Sequence, residues 1–241
     1  EIIKCDWSSD VCSSDLATGT AVVVVGKVVV VAAGFGPSYA GSLPPPGLPV
    51  WVHLHGAVMT AWIVLFAVQA WLVGRRDLAL HRRLGTLSVG LVVVMVPLGL
   101  LTNAMAVHRG ATPPFFTPAM MMAADGLDLC LFVGLYTSAI LLRRNGAWHK
   151  RLMLCATVLL TWPALGRLQP LHELGLSMII PASVALLILL ALIGPLFDLA
   201  TRRRVHPAYL WGAGLIIVVQ PLHGWLAVSP LIQAIANRLL V

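Results

Sequence analysis

Charged residues are scarce in this chain. Of its 241 residues only 10% are charged and nine are acidic, whereas 59% are hydrophobic. A soluble domain of this length does not need so much apolar surface, and the mean hydropathy is +0.91. The shortage of charge therefore argues against a soluble globular fold and predicts an all-α integral membrane helical bundle.

The sequence motifs of soluble enzymes are also missing. The chain has no phosphate-binding glycine loop, no Gly-x-Ser-x-Gly elbow, no His-Glu-x-x-His pair and no Cys-x-x-Cys-His haem attachment sequence. The net charge of +7 could suit nucleic acid, but the basic residues lie in short clusters between apolar runs. We interpret these clusters as topology signals. We therefore expect no nucleic-acid partner and, at most, a membrane redox component rather than a soluble-type enzyme.

The first sixteen residues, EIIKCDWSSDVCSSDL, are polar and rich in Ser and Asp. They resemble the translated sequencing-adapter read-through that precedes some open reading frames of metagenomic origin. We therefore interpret residues 1–16 as a non-native leader and residues 17–241 as a single transmembrane helical domain. We infer no disulfide from Cys5 and Cys12.

Seven apolar runs approach the roughly 20 residues that a helix needs to cross the hydrocarbon core. The loops 74–85, 143–152 and 201–207 together hold eleven Lys or Arg residues, whereas the opposite loops hold two. The positive-inside rule then predicts a multi-pass membrane protein with its N-terminus inside and its C-terminus outside. The predicted spans are residues 17–37, 50–73, 84–107, 119–142, 152–168, 174–197 and 208–228.

Two of the basic loops repeat the same spacing of residues. The repeat indicates that spans two–three and spans four–five are copies of one helical hairpin, although any tight inner turn selects basic residues. We expect the two histidines of the repeat, together with His206 of the third basic loop, to lie at the inner interface, at helix entry and in contact with the phosphates of anionic lipid. The first copy holds Arg75, Arg76, His81, Arg82 and Arg83, and the second holds Arg143, Arg144, His149, Lys150 and Arg151.

Polar residues collect in the outer half of the predicted spans. At 1.5 Å per residue, His55 lies on the order of 7 Å below the outer boundary, and His223 lies at a similar depth. Burying ionisable groups in lipid is costly unless they pair or bind something, so a shared depth indicates a site. The other members of this predicted cluster are His53, Asn103, His108, Asp125, Asp128, Arg167, His172 and Glu173.

Helical phase separates the two histidines of the second span. Positions 55, 59, 62, 66 and 69 share one stripe, and we orient this stripe into the bundle because it carries the polar groups. His53 lies on a different face, near the headgroups, where an imidazole stays hydrated. His55 is therefore the better candidate for a ligand.

The first hypothesis for the cluster is a bis-His haem b site. Such a site needs one imidazole from each of two facing helices, at one depth and in an apolar slot. His55 and His223 would be the axial ligands, between apolar walls that include Trp62 and Trp225. Arg167 would meet a haem propionate. This hypothesis predicts a role in membrane electron transfer or cytochrome assembly, with a respiratory-chain membrane protein as partner.

Three alternatives use the same residues. His55, His223 and Asp128 would also suit a metal ion as a two-His-one-carboxylate set. A proton-coupled small-solute transporter would use Asp125 or Asp128 beside Arg167 as a protonatable relay. In a purely structural protein, Asp128 and Arg167 would pair and lock spans four and five together.

Lys27 lies in the middle of the first span, where a charge is expensive. A lysine in a seven-helix protein suggests the Schiff base of retinal proteins, but that family places it in the seventh helix, where this chain has none. We expect Lys27 either to snorkel along its own helix or to neutralise Asp125 or Asp128.

Several stretches after residue 34 carry a recognisable pattern, namely GFGPSY, HLHGAVMTAWIVLFAVQAWLV, LHRRLG, HKRLMLCATVLLTWPALGR and HPAYLWGAGLIIVVQPL. Together they resemble a family of uncharacterised bacterial multi-pass membrane proteins, which implies a multi-pass fold and no particular activity. The loop motifs HRRLG and HKRLM are similar, more distantly, to small His-bearing membrane families linked to respiratory cytochromes and cytochrome-oxidase assembly. The second resemblance implies a haem-related role.

Overall fold

The computed structural model describes residues 26–37, 39–41 and 47–240, and within these ranges every regular element is a helix. The all-α fold class is therefore confirmed for this part of the chain. The predicted leader, residues 1–16, and the beginning of the first predicted span lie outside it.

Residues 26–37 and 39–41 are helical and form α1. The following helices are α2 (Val50–Gly74), α3 (Leu78–His108), α4 (Pro118–Leu141), α5 (Gly146–Leu159), α6 (Trp162–Leu165), α7 (Gln169–His172), α8 (Leu176–Arg202), α9 (Pro207–Ala227) and α10 (Pro230–Leu239).

Five of these helices, α2, α3, α4, α8 and α9, are long and apolar enough to span a membrane. They correspond to the second, third, fourth, sixth and seventh predicted spans. The helices are consistent with an integral membrane protein, because each satisfies its own backbone hydrogen bonds along a bilayer-length apolar segment. The count of seven spans and the inside-to-outside orientation stay predictions.

The fifth predicted span, residues 152–168, is not one continuous helix. α5 ends at Leu159, and Pro163 follows four residues later in α6. Proline has no N–H to donate to the carbonyl of Leu159, and its ring crowds that carbonyl. Gly166 then ends α6, and Pro170 lies in the first turn of α7. The segment is therefore broken into three helical pieces.

The break in α5 explains the buried lysine of α1. In a continuous helix the N–H of Thr161 would bond the carbonyl of Thr157, but here it bonds the carbonyl of Val158. The Lys27 ammonium donates to the Thr157 carbonyl instead. A cation at this position satisfies an orphan carbonyl and interacts favourably with the C-terminal end of the helix dipole. Lys27 is only 4% exposed, so it is packed against α5 and does not snorkel.

The helices pack as neighbouring hairpins around α5. α2 packs on α3, α4 on α5, and α8 on α9, while α5 also contacts α8 and α9. Most side chains of α5 are buried, including all those from Leu154 to Leu159. Small residues permit the closest approaches, since a Cβ on Gly34 of α1 would lie 2.3 Å from the carbonyl oxygen of Ala164.

The three basic loops meet at one end of the bundle, which we call the basic end (residues 75–85, 142–152 and 203–206). The rings of His81 and His149 have centres 6.3 Å apart, and those of Trp148 and His206 are 5.6 Å apart. The opposite end carries α10, a short amphipathic helix that the sequence analysis did not predict. There the ring of His108 bonds the carbonyl of Leu239 through Nδ1, at 2.8 Å.

Candidate functional site

A buried imidazole–carboxylate pair joins α4 to α9. His223 Nε2 and Asp128 Oδ1 share a hydrogen bond of 3.0 Å, and the two residues are 1% and 7% exposed. The second carboxylate oxygen, Asp128 Oδ2, is buried and has no hydrogen-bond partner among the described residues. The indole of Trp162 covers the imidazole, with ring centres 6.4 Å apart. This pair is the centre of the site.

A second carboxylate lies one turn earlier on α4. Asp125 Oδ2 accepts a hydrogen bond of 2.6 Å from the side-chain amide of Asn103 on α3, and the same amide lies 3.3 Å from the carbonyl of Met121. Asp125 is within electrostatic range of Asp128 and His223. Three helices, α3, α4 and α9, thus bring four of the predicted residues into one cluster, which we call the acidic cluster (Asn103, Asp125, Asp128 and His223).

Arg167 supplies positive charge beside this cluster. Its charge acts on Asp125, its Nη1 donates to the carbonyl of Pro163 at 2.6 Å, and its guanidinium carbon lies 4.8 Å from the centre of the Phe35 ring. The structural hypothesis paired Asp128 with Arg167. In the structure Asp128 pairs with His223 instead, and the charge of Arg167 acts on Asp125.

The predicted residues of α2 lie around the acidic cluster rather than in it. His55 is half-buried and within electrostatic range of Arg167. Trp62 is buried as predicted, against the rings of Phe132 and Tyr136 at 5.4 and 5.7 Å. The inward orientation of the stripe through positions 55 to 69 is thus confirmed at Trp62.

Five other predicted residues lie elsewhere. His53 shares a hydrogen bond of 2.8 Å with the hydroxyl of Tyr39 on α1. His108 is held by α10, as described above. His172 is exposed and contacts a phenylalanine ring, and Glu173 is exposed at the end of α7. Trp225 is 72% exposed and therefore points away from the cluster. None of these side chains contacts the Asp128–His223 pair.

The second copy of the basic repeat contains a buried ion pair. Arg151 is fully buried, and it donates from Nε and Nη2 to both carboxylate oxygens of Asp198, at 2.9 and 2.7 Å. Its Nη1 donates to the carbonyl of Ala147, and its guanidinium carbon lies 5.4 Å from the ring centre of Tyr209. Arg151 is therefore covered at this turn of α5 by Asp198 of α8 and Tyr209 of α9.

Asp198 is a buried charged residue that the sequence did not lead us to predict. It lies four residues before Arg202, whose Nε is 3.7 Å from Asp198 Oδ1, and it also accepts from the backbone N–H of His206 at 3.3 Å. A single acidic residue just before a basic run was the signal available. The exposed members of the basic repeat are Arg75, Arg76, Arg82, Arg83, Arg143 and Arg144.

The surroundings of Lys150 and His206 at the basic end lower the pKa of each side chain. Burial lowers the pKa of Lys150 to about 8, with the charge of Arg151 as a smaller contribution. Burial also lowers the pKa of His206 to about 4, again with a smaller contribution from Arg151. His206 is thus neutral at pH 7, and its Nδ1 accepts from the N–H of Ala208 and caps α9.

The haem and metal hypotheses gain no support from this arrangement. Over the described ranges, no three His, Cys, Asp or Glu side chains are grouped closely enough to hold a metal ion. His223 and Asp128 lie together, whereas His55 is on α2, outside the acidic cluster. His223 Nε2 is occupied by Asp128, so axial ligation through that nitrogen requires the loss of this bond. Haem b binding stays a prediction.

Comparisons with protein-family models, curated proteins and solved structures found no match. The class of protein is therefore defined by the described part of the chain, which is all-helical and contains five helices able to span a membrane. The resemblance to bacterial multi-pass and cytochrome-linked membrane families stays an expectation.

Proposed function

We propose that this chain is a proton-coupled small-solute transporter of the bacterial inner membrane, and that the Asp128–His223 pair is its proton-binding site. The observation that carries the proposal is the 3.0 Å hydrogen bond between a buried imidazole and a buried carboxylate, whose other oxygen, Asp128 Oδ2, has no partner among the described residues. Ionisable residues inside membrane helices are expensive, and they characteristically mark proton relays and substrate pathways.

The pair has the chemistry that reversible proton binding needs. An imidazole and a carboxylate joined by one hydrogen bond can exchange a proton between Nε2 and Oδ1 with little movement of heavy atoms. The free oxygen Oδ2 can accept a further proton from water or solute. Asp125 and Arg167 nearby carry opposite charges, so the cluster can gain or lose one proton without acquiring a large net charge.

The structural hypothesis is less well supported by these contacts. A carboxylate that only locks helices together should have both oxygens occupied, because an unpaired buried oxygen costs about 1–3 kcal/mol. Asp128 Oδ2 has no hydrogen-bond partner within the described part of the chain. Reversible proton binding accounts for this oxygen, whereas a purely structural role does not.

Proton flux into liposomes tests the proposal. Purified protein is reconstituted with a pH-sensitive dye inside the vesicles, and acidification is followed after an imposed pH gradient, with and without candidate solutes. We expect Asp128→Asn and His223→Gln each to lower the flux by at least about tenfold, since positioned proton transfer contributes about 10²–10⁴-fold. Asp77→Asn is the matched control, because it neutralises an exposed carboxylate and keeps a residue suited to capping α3.

Wild-type flux in both the Asp128→Asn and His223→Gln proteins would overturn the proposal. A visible spectrum of the same purified protein, expressed with added haem, tests the competing prediction. A Soret band that is lost in His55→Ala and His223→Ala would favour the haem hypothesis instead.

A further inference from the structure

A second set of buried polar groups connects the middle of the bundle to the basic end, and none of them belongs to the acidic cluster. The hydroxyls of Tyr136 on α4 and Ser88 on α3 share a hydrogen bond of 2.9 Å, and Ser88 also donates to the carbonyl of Gly85 at 2.7 Å. Gly85 is adjacent to the side chain of Gln69, whose amide nitrogen would lie 3.7 Å from a Cβ on that glycine. These contacts place polar groups of α2, α3 and α4 next to one another, and we call this set the polar track.

The track ends at the two histidines of the repeated basic motif. His81 lies one turn before Gly85 on α3, close to the backbone of Gln69. The centre of its ring lies 6.3 Å from that of the His149 ring. The repeat explains this meeting, because Asp77 and Asn145 occupy equivalent positions and cap α3 and α5 in the same way. Each histidine is thus the fourth residue of its helix.

Both imidazoles present an unprotonated nitrogen. A carbonyl oxygen can only accept, so the 2.8 Å contact of His149 Nδ1 with the Ala139 carbonyl places the proton on Nδ1 and leaves a lone pair on Nε2. In His81, the nitrogen Nδ1 is buried and has no hydrogen-bond partner among the described residues, so we assign the ring N–H to Nε2. Burial lowers the pKa of His149, which keeps that ring neutral at pH 7.

A third acceptor completes the group, because Gln69 Oε1 is buried and lacks a partner within the described part of the chain. Two of these acceptors, His81 Nδ1 and Gln69 Oε1, are buried without a donor among the described residues, which is unusual in a folded interior, where buried polar atoms are nearly always bonded to protein or water. Water is the donor that fits, since it can bond to two or more of these atoms and reach them from the half-exposed rings at the basic end.

An aromatic layer separates this track from the acidic cluster. Tyr136 lies eight residues after Asp128 on α4, a rise of about 12 Å. Between them the rings of Trp62 and Phe132 are in edge contact at 5.4 Å, and both side chains are buried. Trp62 Nε1 has no hydrogen-bond partner among the residues that the structure describes, so the layer contains one donor in otherwise apolar surroundings.

We propose that Tyr136, Ser88, Gln69, His81 and His149 form a hydrated half-channel that carries protons between the Asp128–His223 site and the basic end, with the Trp62–Phe132 contact as its gate. This inference rests on the proposed function of the Asp128–His223 site. The half-channel transfers protons by exchange between water, hydroxyl and imidazole groups, each of which gives up one proton as it takes another. The basic end is then the side on which protons enter or leave.

Thiol accessibility tests the water in this half-channel independently of any flux. In a background with the four native cysteines replaced by alanine, Gln69→Cys is treated with a membrane-impermeant thiol reagent from either side of the membrane. We expect modification from the basic end only. Leu72→Cys, one turn further along α2 and 2% exposed, is the control and should stay unreactive. If Gln69→Cys does not react from either side, the half-channel is overturned, whatever the flux measurements give.

Flux in liposomes then tests the transfer itself. We expect the double variant His81→Ala/His149→Ala and the single variant Tyr136→Phe each to lower proton flux by about tenfold or more. We expect Phe132→Ala to raise it. His206→Asn is the control at the same end, because asparagine can still cap α9. Wild-type flux in the double variant together with loss of flux in Asp128→Asn would overturn the half-channel alone, whereas wild-type flux in Asp128→Asn would overturn the proposed function.

Discussion

Two buried acid–base pairs in the described part of the chain differ in how fully their polar atoms are satisfied. At the basic end, both oxygens of Asp198 are bonded to Arg151, and the backbone N–H of His206 adds a third bond. At the other site, Asp128 is bonded once to His223, and its second oxygen has no partner among the described residues. Burial alone therefore does not distinguish a structural charge from a reactive one.

The difference separates two kinds of chemistry. A guanidinium keeps its proton at any physiological pH and forms hydrogen bonds to both oxygens of a carboxylate. The Arg151–Asp198 pair is therefore permanently charged and rigid. An imidazole can gain or lose its proton near neutral pH, and a single hydrogen bond leaves room for exchange. We therefore assign stability to the Arg151–Asp198 pair and proton binding to the Asp128–His223 pair.

Breaking the pair at the basic end should give the largest effect on stability. Arg151→Met leaves the Asp198 carboxylate buried without its bidentate guanidinium partner, and the Nε of Arg202 lies farther away, at 3.7 Å. Removing one partner of a buried pair costs about 3–5 kcal/mol. The measurement is unfolding in mixed micelles, followed by circular dichroism. The double variant Arg151→Met/Asp198→Leu should recover most of the loss, and a double variant no more stable than Arg151→Met would contradict this account.

The close packing beneath the same pair predicts the next largest effect. A Cβ on Gly194 of α8 would lie 2.5 Å from the ring of Tyr209, and that ring is held between α8 and Arg151. Gly194→Ala should therefore destabilise the protein by about 1–3 kcal/mol through overpacking.

Gly214→Ala is the control for this substitution. It lies on α9 with no atom within 4 Å of a new Cβ, so it should be neutral or slightly stabilising. Equal unfolding midpoints for the Gly194→Ala and Gly214→Ala proteins would show that the contact between α8 and α9 tolerates a methyl group.

Hydropathy predicted the long helices well because lipid imposes their length. The predicted span 119–142 compares with Pro118–Leu141 in the structure, and 208–228 compares with Pro207–Ala227. Proline was less informative, since Pro97 lies inside α3 whereas Pro163 follows the end of α5. Whether a helix continues through a proline depends on neighbours that can bond the freed carbonyl, and these are not visible in the local sequence.

The candidate site was predictable in its members but not in its pairings. Depth alone selected His223 and Asp128, yet they are 95 residues apart and meet because α4 packs on α9. Arg83 and Arg151 occupy equivalent positions of the repeat, but one is exposed and the other fully buried. Periodicity is identical in both copies, and tertiary position makes the difference.

Neutralising Asp128 should change stability far less than breaking the pair at the basic end. Asparagine can keep one hydrogen bond to His223, and the substitution removes a carboxylate from an apolar site. We expect Asp128→Asn to change the free energy of unfolding by no more than about 1 kcal/mol. A loss of unfolding free energy as large as that of Arg151→Met would show that both pairs mainly stabilise the fold, and it would favour the structural hypothesis.

The smallest effect should come from acidification at the basic end. Burial lowers the pKa of His206 to about 4, below the unfolded value of about 6.5. The native state therefore binds fewer protons than the unfolded state between these values, so the contribution of His206 is complete above pH 6.5 and is lost as the pH falls through 4. Protonation of Nδ1 would also remove the cap that His206 gives to α9.

His206→Asn isolates this contribution, because asparagine caps helices but does not titrate. Unfolding midpoints are compared between pH 7.5 and pH 4 for the wild-type and variant proteins. Other groups titrate in the same range, so the informative quantity is the difference between the two curves. We expect the wild-type protein to lose more stability than the variant on acidification. Parallel curves would show that the His206 imidazole is as easily protonated in the folded protein as in the unfolded chain, and that its environment beside Arg151 and Lys150 is more hydrated than the structure indicates.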